Sequence, residues 1–466
     1  MKYILLIFLL AIAILSCRKE NFSDDTADGL VFSTDTLTFD TVFTTIGTAT
    51  RSFKVYNREG KDLKIKRIYL AGNSGFRLNI NGQAANTLSD VILAKDDSMF
   101  IFVEVKVNPL NNNNPLVILD SVIFEMVTNT HKVYLMAIGQ DVHLINSEIF
   151  SGNTYWAADK PYLIYNSMLV DTGGTLTVAA GARLHFHHQS RLYVAGTLVC
   201  NGTREEPVTM QGDRLESWYA DIPGQWDGIY FLPGSISNQL THTIVKNAII
   251  GIQSDTTGNS FSPTVSLMNV KILNMNAVGI YGRGTSVHAV NTIVANCGQF
   301  AVLVVFGGSY EFYHCTIYND WSYGNRTTPS VVLNNYYQDV NGIYQVRPLE
   351  KATFGNCIIH GSKETELLID AYPGSPVFEY KFDHCIIKAG ADLNTSDASR
   401  FIEIFKNLSP KLKAPSAGNF EPDTLSNVIN KGFFQYGNMF STDFNGNSRI
   451  SDGQPDLGAY ERVDQQ

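Results

Sequence analysis

The stretch FGNCIIHGS (354–362) returns as FDHCIIKAG (382–390), with Asn356 and His384 holding the same slot 28 residues apart. Four earlier copies share that slot: THTIVKN with His242, MNVKILN with Asn269, VNTIVAN with Asn291 and YHCTIY with His314. The spacings along the six are 27, 22, 23, 42 and 28 residues, so one repeat carries extra chain. A period in the twenties marks units too small to bury an apolar face alone, which must stack into a solenoid.

The chain upstream keeps the same rhythm. Residues 174–212 (GTLTVAAGARLHFHHQSRLYVAGTLVCNGTREEPVTMQG) read as four- to six-residue strands punctuated by Gly174, Gly181, Gly196, Gly202 and Gly212. In such a coil the repeated residue sits at one fixed corner. Asn there tolerates the left-handed backbone region and can hydrogen-bond to its copies above and below. His242, Asn269, Asn291, His314, Asn356 and His384 are therefore expected to form a structural ladder.

The N-terminus is organised differently. One Lys precedes an apolar run from Tyr3 to Leu15, the length of a signal-peptide core rather than a membrane span. Ile14-Leu15-Ser16-Cys17 resembles a bacterial lipobox, which makes Cys17 the expected lipid attachment site and the lipid the expected anchor. Residues 18–30 are a polar tether. Residues 31–143 alternate in strands of sandwich length, with SMFIFVEVKVNP the clearest.

Val55-Tyr56-Asn57, the Phe-x-Val-x-Val before Asn-Pro, and a terminal Leu-x-x-x-Gly resemble the Hydin-type immunoglobulin-like domains of bacterial surface proteins. Residues 144–462 resemble the right-handed parallel β-helix, or pectate-lyase-like, superfold. That resemblance rests on the GxLxVxxGxxLxF opening, the Trp226-Asp227-Gly228-Ile229 strand and the Asn ladder. DFNGNSRISDGQPDLGAYE (443–461) resembles the terminal D-x-x-G-x-x-R…D-[IL]-G-A-[YF]-E signature of β-helix surface proteins. SNVINKG (426–432) resembles the preceding S-P-A-I-D-x-G element, departing from it at Asn427, Val428, Asn430 and Lys431. The fold expected is all-β: an Ig-like β-sandwich followed by a right-handed parallel β-helix. The resemblance implies no single activity, because the superfold hosts lyases, hydrolases, adhesins and scaffolds.

Composition narrows the partners. With 35 basic and 44 acidic residues the net charge is −9, without the basic footprint that nucleic acid requires. Five cysteines remain beyond Cys17: Cys200, Cys297, Cys315, Cys357 and Cys385. An odd count leaves at least one free thiol, and small buried hydrophobes are the expected role.

Chemistry-bearing residues are sparse. The coil strands show no paired outward carboxylates, and Asp255, Asp320 and Asp339 fall in loops. His185 and His187 alternate with inward Leu184 and Phe186, so a shared outward face and a weak metal pair are expected. Asp443, Asn445 and Asn447 mimic the start of a calcium loop, but Ser448 replaces its required Gly and Gln454 its closing Glu. No cofactor is expected, calcium being the one that this loop would admit. The extra chain at about 319–348 carries Trp321, Tyr323, Tyr336, Tyr337 and Tyr344 among Asn and Gln, a composition suited to sugar rings and hydroxyls. The expectation is an outer-membrane lipoprotein of a Gram-negative envelope that binds a polysaccharide without catalysis. A polysaccharide lyase or hydrolase, and a structural rod with a protein partner, are the alternatives.

Overall fold

The computed structural model describes residues 22–23, 29–44, 50–107, 116–255, 262–375 and 377–463. Cys17 and the tether apart from residues 22–23 and 29–30 lie outside them. The chain divides into two compact units, Met1–Asp141 and Val142–Gln466. The protein is nearly all-β, and no helix among the described residues is long and apolar enough to cross a membrane.

The first unit is built from two sheets around one core. One sheet orders Phe22–Ser23, Asp62–Leu70, Leu116–Glu125, Thr130–Gln140 and Thr36–Phe43, with Thr87–Leu93 on the flank of Asp62–Leu70. The other orders Leu30–Phe32, Arg51–Asn57, Ser98–Val105, Phe76–Ile80 and Gln83–Ala84. Ser98–Val105 alternates strictly, burying Met99, Ile101, Val103 and Val105, as the period of a half-buried strand dictates. Asn57 closes the Asn-Arg-Glu-Gly turn. Its amide donates to the carbonyls of Lys61, Leu93 and Ala94, and its oxygen accepts from the Glu59 N–H.

The second unit is a parallel solenoid with three strands to a coil, its strands joined into one 26-stranded sheet. The first face stacks Thr243–Lys246, Lys271–Met275, Ile293–Cys297, Thr316–Asn319 and Ile358–Gly361. The second stacks Arg191–Val194, Trp226–Phe231, Ala248–Ser254 and the first halves of Val278–Val290 and Phe300–Tyr313, then Val331–Asn334 and Leu367–Asp370. The third runs from Asn238–Thr241 and Val265–Met268 through the second halves of those two long strands to Leu349–Gly355.

Inside the coils like packs on like. Phe312, Phe354, Phe382 and Phe401 form a stack with centroids 4.8, 4.9 and 5.6 Å apart. Thr243, Val270, Thr292, Cys315, Cys357 and Cys385 fill one fully buried column, and all five cysteines of this unit are free thiols. The corner between the third and first faces holds His242, Asn269, Asn291, His314, Asn356 and His384, all at φ between 41° and 56°. Asn291 donates to Asn269 Oδ1 at 2.9 Å, Asn269 meets His242 Nε2 at 3.1 Å, and Asn356 meets His314 Nε2 at 3.2 Å. A second ladder stands at the next corner, where Asn247, Asn274 and Asn296 share the same left-handed backbone and donate from copy to copy.

The chain after Lys406 turns back along the coils. Leu412, Phe420, Val428, Leu457, Ala459 and Tyr460 cover the outward side of the first face at Ile293, Ala295, Ile358 and Ile386. Arg449, fully buried, pairs with Glu461 at 2.7 Å and donates to Asn291 Oδ1 at 2.7 Å, while Ala459 N–H reaches Thr316 Oγ1. The terminal signature is thus a polar clasp seated on the ladder.

Candidate functional site

Alternation along the second face sends every other side chain outward, and parallel stacking aligns these in columns about 4.8 Å apart. One column reads Tyr193, Tyr230, Gln253, Tyr281 and Leu303 on consecutive coils. All five are half-buried. The pairing of Trp226–Phe231 with the next coil shifts register at Gly228, whose φ of 120° belongs to glycine and where a Cβ would strike the Ile250 carbonyl.

Charged groups tie the tyrosines together. Tyr230 donates its hydroxyl to Asp255 Oδ2 at 2.7 Å, and Arg283 donates to the same oxygen at 3.0 Å. One coil earlier Arg191 pairs with Asp227 at 3.2 Å and spans the rings of Tyr193 and Tyr230 at 5.5 and 6.0 Å. At the other end Arg283 lies 5.7 Å from the ring of Tyr337, which meets Phe306 edge-on at 5.0 Å. Arg347 lies over Phe306 in turn. The result is an unbroken track of rings and guanidinium groups.

Burial and the Asp255 charge push the Tyr230 hydroxyl up to about 12, so it stays protonated and acts as a donor. Asp227 and Asp255 each have an arginine on their oxygens. The arrangement offers ring faces for stacking and hydroxyl and guanidinium groups for hydrogen bonding.

The extra chain around 319–348 does not emerge as one insertion. Val331–Asn334 is a regular second-face strand, paired with Phe300–Tyr313 on one side and Leu367–Asp370 on the other. The surplus residues therefore divide between the two ends of that strand, and the five aromatic candidates divide with them. Trp321 and Tyr323 meet at 5.4 Å on the first side, where Tyr323 donates to the Asp221 carbonyl beside exposed Trp218. On the second side Tyr336–Gln338 and Tyr344–Val346 form an antiparallel hairpin. Tyr336 and Tyr344 there cluster with Tyr372 at 5.4 to 5.8 Å, and Tyr336 donates to Asp370. Of the five, Tyr337 alone reaches the track through Arg283.

The three loop acids have separate surroundings. Asp255 belongs to the track. Asp339 shapes the hairpin turn, accepting from the Asn341 and Ile343 N–H groups, which hold it below the usual carboxylate range. Asp320 is exposed and acts electrostatically on Tyr318 and His360.

His185 and His187 do not share an outward face. Strand Arg183–Phe186 ends before His187, which leaves at the corner, stacks on Tyr165 at 4.0 Å and binds Asp213 at 2.7 Å. His185 does take the outward slot, in register with Leu163, but both are buried. Burial lowers its imidazole to about 4. Asp443 is likewise buried, and its carboxylate accepts N–H groups from Asn445, Asn447 and Glu461. These donors take up the lone pairs that a cation would need. Among the described residues no group of three or more His, Cys, Asp and Glu is placed to hold a metal ion.

No family model matches the chain, and no curated protein does. Among solved structures, a PapD-like domain of human CEP192 aligns at 8% identity and a TM-score of 0.18, over 27% of this chain and 94% of that one. A family 123 glycoside hydrolase from Clostridium perfringens aligns at 7% identity and 0.18, over 27% of this chain and 26% of that one.

The sequence reading passed over Arg191, Tyr193, Tyr230, Tyr281 and Arg283. A signal was present: RLYV, GIYF and GIYG place an apolar-Tyr pair in the same second-face slot.

Proposed function

We propose that this chain is a lipid-anchored protein of the Gram-negative cell envelope, held in the outer membrane through Cys17. In this reading a Hydin-type Ig-like domain precedes a right-handed parallel β-helix of the pectate-lyase-like kind. The second face of the helix binds an extracellular polysaccharide without cleaving it. The observation that carries the reading is the column of Tyr193, Tyr230 and Tyr281, knitted by Asp255 and Arg283 and bordered by Tyr337. Tyr193 and Tyr230 stand on neighbouring coils and Tyr281 one coil further on, past Gln253, so ring faces and polar tips alternate along the column as a ligand of apolar sugar faces and hydroxyls requires.

The test is a screen of neutral and acidic polysaccharides that follows binding together with the release of reducing or unsaturated ends. Binding without release, abolished by Tyr230→Ala, is the expected result. Release of ends would overturn the non-catalytic reading and direct attention to Asp255. Absence of binding to every polysaccharide would favour a structural rod with a protein partner.

A further inference from the structure

A different face carries a different chemistry. Near the end of the solenoid the first face borders a cavity of about 430 Å³, lined in part by His360, Glu364, Lys388, Ala391, Lys406 and Asn407. His360 and Lys388 fill the slot after the repeated Ile-Ile pair, and Lys406 comes from the next coil, in register with Ile387. Three coils therefore contribute nitrogen to one cavity.

These groups are short of partners. Lys388 Nζ donates to the Gly361 carbonyl at 2.7 Å and Lys406 Nζ to the Leu393 carbonyl at 2.8 Å. Each ammonium has three N–H donors, so both retain donors to spare. Among the described residues neither forms an ion pair with a carboxylate. The buried acid nearby, Glu366, is committed to Arg326. His360 Nδ1 is buried with no hydrogen-bond partner, and its ring is stacked on Tyr318. Burial and the charge of Lys388 keep this imidazole neutral, down to about 4. Two ammonium groups and one carboxylate, Glu364, line the cavity, so the lining itself carries a surplus of one positive charge, with the exposed Asp392 carboxylate beside Gly390 outside it.

We propose that this cavity binds a tetrahedral oxyanion, a sulfate or phosphate ester, carried on a small polar body such as one sugar ring. Lysines bind phosphate and sulfate oxygens as compact point charges, and two of them converging on one space can share the three outer oxygens of a tetrahedral group. The cavity far exceeds a bare ion and falls within the ordinary size of small-molecule sites, which calls for a body behind the anion. The proposal stands apart from the second-face reading, since the two share no residue.

The full chain is titrated calorimetrically with glucose 6-sulfate, glucose 6-phosphate, inorganic sulfate, inorganic phosphate and glucose at constant ionic strength. Saturable binding of at least one ester, tenfold or more tighter than glucose, is expected. A preference between the sulfate and phosphate arms identifies which ester the site takes. Lys388→Gln combined with Lys406→Gln should weaken binding at least tenfold. Ala391→Glu, at an exposed rim residue, should do the same without touching the lysine-carbonyl contacts, which covers failure of the double variant to fold. Equal binding of glucose, undiminished binding by Ala391→Glu, or no saturable binding of any oxyanion would overturn the proposal. Tyr230→Ala should leave this binding unchanged, so a failure here and a failure of the second-face reading are separable.

Discussion

The Arg326 guanidinium meets the Glu366 carboxylate at 2.6 Å, with the two side chains 1% and 0% exposed. Glu366 also accepts from the N–H and hydroxyl of Ser330 and from Lys363 N–H, while Arg326 donates to the Asn319 and Thr328 carbonyls. The pair fastens the 320–330 chain to the following coil. Removing one partner strands the other charge in the interior, so Arg326→Ala should cost about 3–5 kcal/mol. Urea unfolding reads this directly, and a loss under about 1 kcal/mol would show that the remaining donors suffice for Glu366.

Asn356 allows backbone and side-chain effects to be separated. Its backbone is left-handed at φ 52°, its amide faces His314, and its oxygen accepts Phe433 N–H at 2.6 Å. Asn356→Gly and Asn356→Ala both remove the amide and its contacts. Alanine keeps a Cβ in the left-handed region where glycine has none, so the alanine variant should be less stable than the glycine variant by about 1 kcal/mol. Equal unfolding midpoints would show that the corner relaxes.

Acid should weaken the solenoid through His185. Burial depresses its folded-state pKa to about 4 from the ordinary 6.5. The unfolded chain therefore takes up the proton first as pH falls. The stability held above pH 6.5 is lost between about 6.5 and 4, by up to about 3 kcal/mol. His185→Leu should flatten that part of the curve, and the difference between the wild-type and variant pH profiles isolates this group from the other buried histidines.

Tyr230→Phe keeps the ring and deletes the hydroxyl that faces Asp255. Arg283 still covers the carboxylate, so the stability cost should stay near 1 kcal/mol. Polysaccharide affinity should fall less than in Tyr230→Ala, which removes the stacking surface. Equal losses in the two variants would mean that the hydroxyl rather than the ring does the binding.

Cys17→Ser should move the protein from the detergent phase to the aqueous phase in a two-phase extraction of expressing cells. Retention in the detergent phase would exclude a lipid at this residue as the sole anchor.

The repeat was legible because a left-handed corner admits few residue types, and the chain wrote Asn or His there each time. The Asn247, Asn274 and Asn296 ladder was equally visible, since each of these residues ends the same heptad as a residue of the first ladder. The second-face tyrosines were harder to see. They recur at 37 and 51 residues, because a long loop lies between Tyr193 and Tyr230 and because Gln253 takes the slot on the coil between Tyr230 and Tyr281. The 319–348 region misled for a related reason: composition marks surplus chain, but only strand pairing reveals that Val331–Asn334 belongs to the stack and splits the surplus in two. His185 shows the limit of alternation, which gives the direction of a side chain and says nothing of what lies over it.

The segment that carries Leu457, Ala459 and Tyr460 leaves the ribosome after every coil, yet it roofs rows laid down some 160 residues earlier at Ile293 and Ala295. A chain passing through a membrane in sequence order completes its coils while that apolar roofline is still bare. The finishing residues thus act as a seal on biogenesis. A nonsense change near position 440 would delete only a few per cent of the sequence, and yet it would release a particle with an open hydrophobic seam.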